Sequence, residues 1–138
     1  MSADSREQHV TSLKQLTPVL IVAEVEPCLE FWVGRLGFEV TNRVPGDDGK
    51  LVFASVQQGS IEIMYQTRAS VLEELPAAAR DLTGHSVSLF ITVADLDAVE
   101  DSLRGVPVVK PRHQTFYGST EIYVKEPGGN TVGFAKFN

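Results

Sequence analysis

The sequence predicts an α+β fold assembled from two copies of a βαβββ module, and three observations carry that prediction. Pro18-Val19-Leu20-Ile21-Val22-Ala23-Glu24-Val25 and Leu89-Phe90-Ile91-Thr92-Val93-Ala94-Asp95-Leu96 are diverged copies, with Val22/Val93, Glu24/Asp95 and Val25/Leu96 falling at one common offset. In both copies an apolar, strand-like run ends at an acidic residue and gives way to helical periodicity. Turn chemistry then divides the rest of each half, at Pro45-Gly46-Asp47-Asp48-Gly49 and Gln58-Gly59 in the first and at Pro127-Gly128-Gly129-Asn130 in the second.

Taken in order, the first half reads as strand 16–22, helix 27–36, and strands 38–44, 51–57 and 60–66. The helix has local causes. Glu24 and Glu26 place negative charge at its start, Pro27 suits its first turn, Leu29, Trp32, Val33 and Leu36 recur at helical spacing, and Gly37 ends it. The second half repeats the order with strand 87–93, helix 96–103, and strands 106–110, 120–125 and 131–137. Between the modules, 16–66 and 87–137, the linker 67–86 carries Val71-Leu72-Glu73-Glu74-Leu75 and Ala77-Ala78-Ala79-Arg80, compatible with one or two short helices. Residues 1–14 lack apolar periodicity and are expected to form a flexible tail on a single domain, 15–138.

Composition narrows the function classes. A chain of 138 residues can bury a core without staples, and a net charge of −6 opposes nucleic acid and anionic membranes as partners. No apolar run approaches the roughly 20 residues that span a bilayer, and the first residues are polar, so a cytoplasmic location is expected. The single Cys28 forms no internal disulfide and falls on the apolar side of the first helix, where it reads as packing.

Glu30-Phe31-Trp32 leading through Arg35-Leu36-Gly37-Phe38-Glu39-Val40 resembles the helix-to-strand signature of the vicinal oxygen chelate superfamily. Tyr117-Gly118-Ser119-Thr120-Glu121, followed by Glu126-Pro127-Gly128-Gly129-Asn130, is similar to its C-terminal hairpin. That superfamily includes glyoxalase I, extradiol dioxygenases, and fosfomycin- and bleomycin-resistance proteins. The resemblance covers residues 16–137 and implies a curved, half-barrel mixed sheet with helices outside. The fold hosts many chemistries and does not by itself fix the function.

In metal-dependent members the resemblance implies ligands at Thr17, Glu62, Ser88 and Gly133, which obey the repeat offset. These residues make a poor metal site. A catalytic transition ion needs about three strong donors, whereas Thr17 and Ser88 offer neutral hydroxyls and Gly133 offers nothing. His9 lies in the tail, His85 falls on the opposite sheet face from Ser88 if the strand reaches it, and His113 stands alone between strands. No metal and no cofactor are expected.

Strand alternation instead predicts an organic-ligand pocket, with Thr17, Glu62, Met64, Ser88, Phe90, His113, Tyr117, Glu121 and Tyr123 as its residues. Glu62 either meets a cationic or hydrogen-bond-donating ligand or shuttles a proton, or else is solvated or paired with Arg43 or Arg112. Trp32 and Met64 fit the core as well as a site. Two functional classes follow. One is a metal-free binding protein that sequesters an aromatic or cationic small molecule, like bleomycin-resistance proteins. The other is a lyase, isomerase or dioxygenase-like enzyme with a displaced metal site or a Glu62/Glu121 proton shuttle. The missing ligands weigh toward the first. A homodimer is expected from the resemblance and from the uncovered edges of a half-barrel.

Overall fold

The computed structural model describes residues 15–74 and 87–138. The expected tail, the linker from Leu75 onward, His9 and His85 lie outside the described residues. The order of elements is β1 (Val19–Val22), α1 (Glu26–Leu29) running on as a π-helical segment (Glu30–Arg35), β2 (Glu39–Pro45), β3 (Leu51–Gln58), β4 (Ile61–Thr67), α2 (Arg68–Glu74), β5 (Leu89–Thr92), α3 (Leu96–Ser102), β6 (Val108–Gln114), β7 (Ser119–Lys125) and β8 (Thr131–Phe137). The duplication is plain in the topology. One four-stranded sheet has the order β1-β4-β3-β2 and the other β5-β8-β7-β6, each with one parallel and two antiparallel pairings. The expected α+β fold of two repeated modules is present, each module supplying one four-stranded mixed sheet, and among the described residues the strands do not close into a barrel.

Side-chain alternation sorts each strand between two environments. Leu20 and Val22 are buried while Val19 is exposed, and Ile63 and Tyr65 are buried while Glu62, Met64 and Gln66 on the other face are only partly covered. The buried sets of both sheets join one apolar cluster with the helices, including Phe31, Trp32 and Leu96. Burial of side chains of this size stabilises by roughly 1.5–3 kcal/mol each.

The helices keep to their predicted starts. Asp95 caps α3 by accepting a hydrogen bond from the Ala98 amide at 3.1 Å. Gly37 ends the first helix at φ 74°, a left-handed conformation that favours glycine. Two expectations need correction. The first helix is α-helical for only four residues before it widens into the π-helical segment. The strand expected at 106–110 is Val108–Gln114, so His113 lies within β6 and not between strands. Pro111 conceals that continuity, since it cannot donate to the ladder, and the register shifts between Lys110 and His113.

The modules meet around a buried carboxylate. Glu126, 1% exposed, receives the Tyr65 hydroxyl at 2.5 Å, the Asn130 amide at 2.6 Å and the Asn130 side-chain N–H at 3.0 Å. Trp32 Nε1 in turn donates to the Tyr65 oxygen at 2.8 Å. First-module aromatics and a second-module turn thus share one polar chain in which every buried group has a partner. Gly128 of that turn sits so close to Val22 that a Cβ there would fall 2.5 Å from the valine methyl. Burial, followed by the charge of Glu126, pushes the Cys28 thiol well above its ordinary pKa, which suits packing and not nucleophilic attack.

Candidate functional site

Ser119, Glu121 and Tyr123 alternate on one face of β7, and the register places Glu121 opposite His113 on β6 and Tyr123 opposite Gly133 on β8. Tyr117 stands in the turn that leads into β7. These positions converge on the Glu121 carboxylate. Its Oε2 accepts hydrogen bonds from Ser119 Oγ and the Tyr117 hydroxyl, both at 2.7 Å, and its Oε1 accepts from the Tyr123 hydroxyl at 3.0 Å. His113 Nε2 lies 4.0 Å from Oε1. Its Nδ1 is 2.8 Å from the Pro111 carbonyl oxygen, an acceptor only, so Nδ1 carries a hydrogen.

Glu121 is 1% exposed, enclosed by its own ring of donors. Burial alone raises its pKa; the three hydroxyl donors, with help from His113, outweigh it and hold the carboxyl below the usual range. The phenols move the other way. Burial, then the bond to Glu121 and its charge, push Tyr123 up to about 12. The bond to Glu121, then burial, raise Tyr117. Near neutral pH the cluster is an ionised carboxylate holding two neutral phenols in fixed orientation.

Around it opens a cavity of about 560 Å³ lined by Val109, Lys110, His113, Phe116, Tyr117, Glu121 and Tyr123, among others. The His113 and Tyr123 rings stack at 6.2 Å with a 20° tilt. A run of exposed aromatics continues outward, Phe116 to Tyr117 at 5.2 Å, then Phe137 at 6.4 Å, then Phe90 at 6.4 Å. The floor of this region is decided by Gly133. A Cβ on Gly133 would stand 2.4 Å from Tyr123 Cε2 and 2.9 Å from its Cζ, so the phenol ring fills the place where a side chain at that position would project.

The other predicted residues do not join this cluster. Glu62 and Phe90 line a separate cavity of about 440 Å³ with Leu16, Pro18, Ser60 and Thr92, where β4 approaches β5. Glu62 accepts a hydrogen bond from Gln15 Nε2 at 3.0 Å, and the same amide nitrogen donates to Thr17 at 3.0 Å. Arg112, considered as a partner for Glu62, instead binds Asp97 at 2.7 Å and Glu100 at 2.9 Å. Met64 is half-buried on the face shared with Glu62, across from Ser55 on β3, and Ser88 is exposed just before β5. Residues that the sequence reading left out include Ser119, Gln15 and the Glu126 chain. Ser119 was accessible to it, since alternation puts it on the face of Glu121. The burial of Glu126 was not, because nothing local to a Glu-Pro-Gly turn reports what packs over it.

The four positions implied as metal ligands do not fit a transition ion. Glu62 is the one strong donor, Thr17 is engaged by Gln15, and Tyr123 takes the space at Gly133. Among the described residues no three of His, Cys, Asp or Glu come together as a metal-binding group.

The profile of the Glyoxalase/Bleomycin resistance protein/Dioxygenase superfamily matches residues 8–134. An uncharacterized protein of Mycobacterium bovis is 27% identical over 118 residues, covering 83% of this chain and 78% of its own. Among solved structures, a glyoxalase/bleomycin resistance protein/dioxygenase from Nocardioides superposes with a TM-score of 0.71 at 16% identity, over 99% of this chain and 91% of that one. A lactoylglutathione lyase from Agrobacterium tumefaciens gives a TM-score of 0.67 at 17% identity, over 91% and 95%. At such identities the structural likenesses speak for the fold.

Proposed function

The chain belongs to the glyoxalase/bleomycin resistance protein/dioxygenase superfamily, and within it we propose that it is a metal-free binding protein for an aromatic or cationic small molecule. One observation carries the reading. The Tyr123 ring occupies the space of the fourth expected metal donor, and its hydroxyl is tied to a buried, ionised carboxylate that also holds Tyr117. The result is a pair of oriented phenols beside an imidazole, backed by negative charge. Such a wall attracts planar ligands by stacking and cations by their attraction to ring faces and to Glu121. It suits proton transfer poorly, because Glu121 shifts down and both tyrosines shift up, away from neutrality.

The proposal includes a homodimer, supported by the exposed run Phe90, Phe137, Tyr117 and Phe116 at one end of the second sheet. Sedimentation at micromolar concentration tests it, and a monomer would remove this part. It also includes a cytoplasmic location with no nucleic-acid or membrane partner, supported by the net charge of −6 and the free, buried Cys28. No helix among the described residues is long and apolar enough to cross a membrane.

A thermal-shift screen of aromatic amines, quaternary ammonium compounds and uncharged aromatics tests the central reading. A ligand at a hundredfold excess over its Kd stabilises by about 2.7 kcal/mol. The screen is expected to yield organic hits whose shifts fall in Tyr123→Ala. Hits insensitive to Tyr123→Ala, Tyr117→Phe and Glu121→Gln alike would move the ligand elsewhere and refute the assignment.

A further inference from the structure

A third cavity, of about 560 Å³, lies where the π-helical segment of the first module faces the strand ends and turn of the second. None of the predicted pocket residues lines it. Its volume is within the range of small-molecule sites, roughly 300–1,000 Å³. Much of its wall is apolar, from Pro27, Phe31, Val106, Pro107 and Pro127; Glu126 also lines it, with its oxygens held by Tyr65 and Asn130.

Charged groups of both signs stand at this cavity, and what holds each of them decides which is free to meet a ligand. The π-helical spacing brings Glu30 and Arg35 to the same opening, and Lys125 at the end of β7 enters from the second module. Glu30 turns along the helix, with its carboxylate against Gly34: a Cβ there would meet Oε1 at 2.5 Å. Arg35 is held from the other direction. Its Nη1 donates to the carbonyl oxygens of Arg104 at 2.6 Å and Ser102 at 3.3 Å, across the module boundary. That fixes the guanidinium plane and leaves Nη2 toward Gly105, 3.9 Å from where a Cβ would stand, with no side chain to cover it. A guanidinium immobilised by backbone carbonyls loses little freedom on meeting an anion.

We infer that this cavity is a second binding site, for a small molecule with a flat or branched apolar body and one carboxylate, the body against Phe31 and the prolines and the carboxylate between Arg35 and Lys125. The preference is opposite in sign to that proposed for the Glu121 pocket. On a chain of net charge −6, this pit carries two cations, Arg35 and Lys125, on a rim that also includes Glu30.

The test is an amide chemical-shift titration of the full chain with 2-naphthoate, and with uncharged 2-naphthamide as control. Saturable shifts are expected at Phe31, Gly105, Lys125 and Gly129, with the amide binding roughly tenfold more weakly, the size of one charge-assisted hydrogen bond. Lys125→Gln and Arg35→Gln are each expected to weaken naphthoate by a similar factor. Lys125 is an exposed rim residue, so its variant keeps the test open if loss of the Arg35 bonds harms folding. Tyr123→Ala and Glu121→Gln should leave naphthoate binding unchanged, which separates this site from the other pocket. Equal binding of acid and amide, shifts confined to the Glu121 pocket, or an unchanged Kd in Lys125→Gln would each overturn the inference.

Discussion

Gly133→Ala is a single-methyl change whose sign depends on Tyr123. In a strand, alanine normally stabilises relative to glycine by roughly 0.5–1 kcal/mol, because glycine loses more backbone freedom on folding. Gly133 is not among the glycines with positive φ, so no backbone strain opposes the change. The obstacle is Tyr123, whose Cε2, Cδ2 and Cζ would lie 2.4, 2.8 and 2.9 Å from the new methyl. These are atoms of the ring body, and the ring is pinned by its hydroxyl bond to Glu121 and by His113 stacked beside it. Displacing it costs an overpacking penalty of about 1–3 kcal/mol. If the ring swings away, the lost bond to a charged acceptor adds about 1.5–3 kcal/mol. Gly133→Ala is therefore expected to destabilise wild type by roughly 1–4 kcal/mol, and to stabilise the Tyr123→Ala background by roughly 0.5–1 kcal/mol. Urea unfolding of the four proteins in the cycle measures both numbers, with unchanged m-values as the check on two-state behaviour. The same sign in both backgrounds would refute the claim that Tyr123 fills this space.

Other outcomes follow from the two buried carboxylates. Tyr65→Phe should destabilise by about 2–4 kcal/mol in the same assay, since it leaves the Trp32 N–H and one Glu126 oxygen without their partner; a loss under about 1 kcal/mol would mean the inter-module chain does not stabilise the fold. All three tyrosines of the chain are shifted up, so ultraviolet titration should show no phenolate step at the ordinary value near 10 while the protein is folded, and a normal step there would contradict the cluster. The Glu121 pKa is lowered on folding, so its ionised form stabilises above the unfolded value, near 4.5, and that stability is lost as pH falls through the folded value. Wild type should accordingly lose stability on acidification below that point more steeply than Glu121→Gln, and parallel slopes would argue against a hydrogen-bonded, ionised Glu121.

The fold was legible because the repeat, the turns and the period of two are local properties. Val22 with Val93 and Glu24 with Asp95 reported two copies of one module, and Thr131–Phe137 appears with the bounds that its pattern predicted. What blurred was also local. Pro111 looked like the end of a strand, and the π-helical widening at Glu30–Arg35 has no compositional mark. The site was legible in part: alternation grouped Glu121 with Tyr123 but could not choose Glu121 over Glu62 as the residue that gathers donors. That choice depends on Ser119 and Tyr117 reaching the same oxygen, and on Gln15 reaching Glu62, distances that arise only when the strands are placed. The identity of Gly133 hinted at a missing donor. That a ring from the neighbouring strand takes its place is a tertiary fact.

Equilibrium dialysis of the purified protein against micromolar Ni(II), Zn(II), Mn(II) and Fe(II), with elemental analysis of the bound metal, bears most directly on the central claim. With Tyr123 over Gly133, Thr17 engaged by Gln15 and Glu62 the one strong donor, the bound metal should stay far below one equivalent per chain and should not change in Glu62→Gln. One tightly held equivalent, lost in Glu62→Gln, would contradict the account.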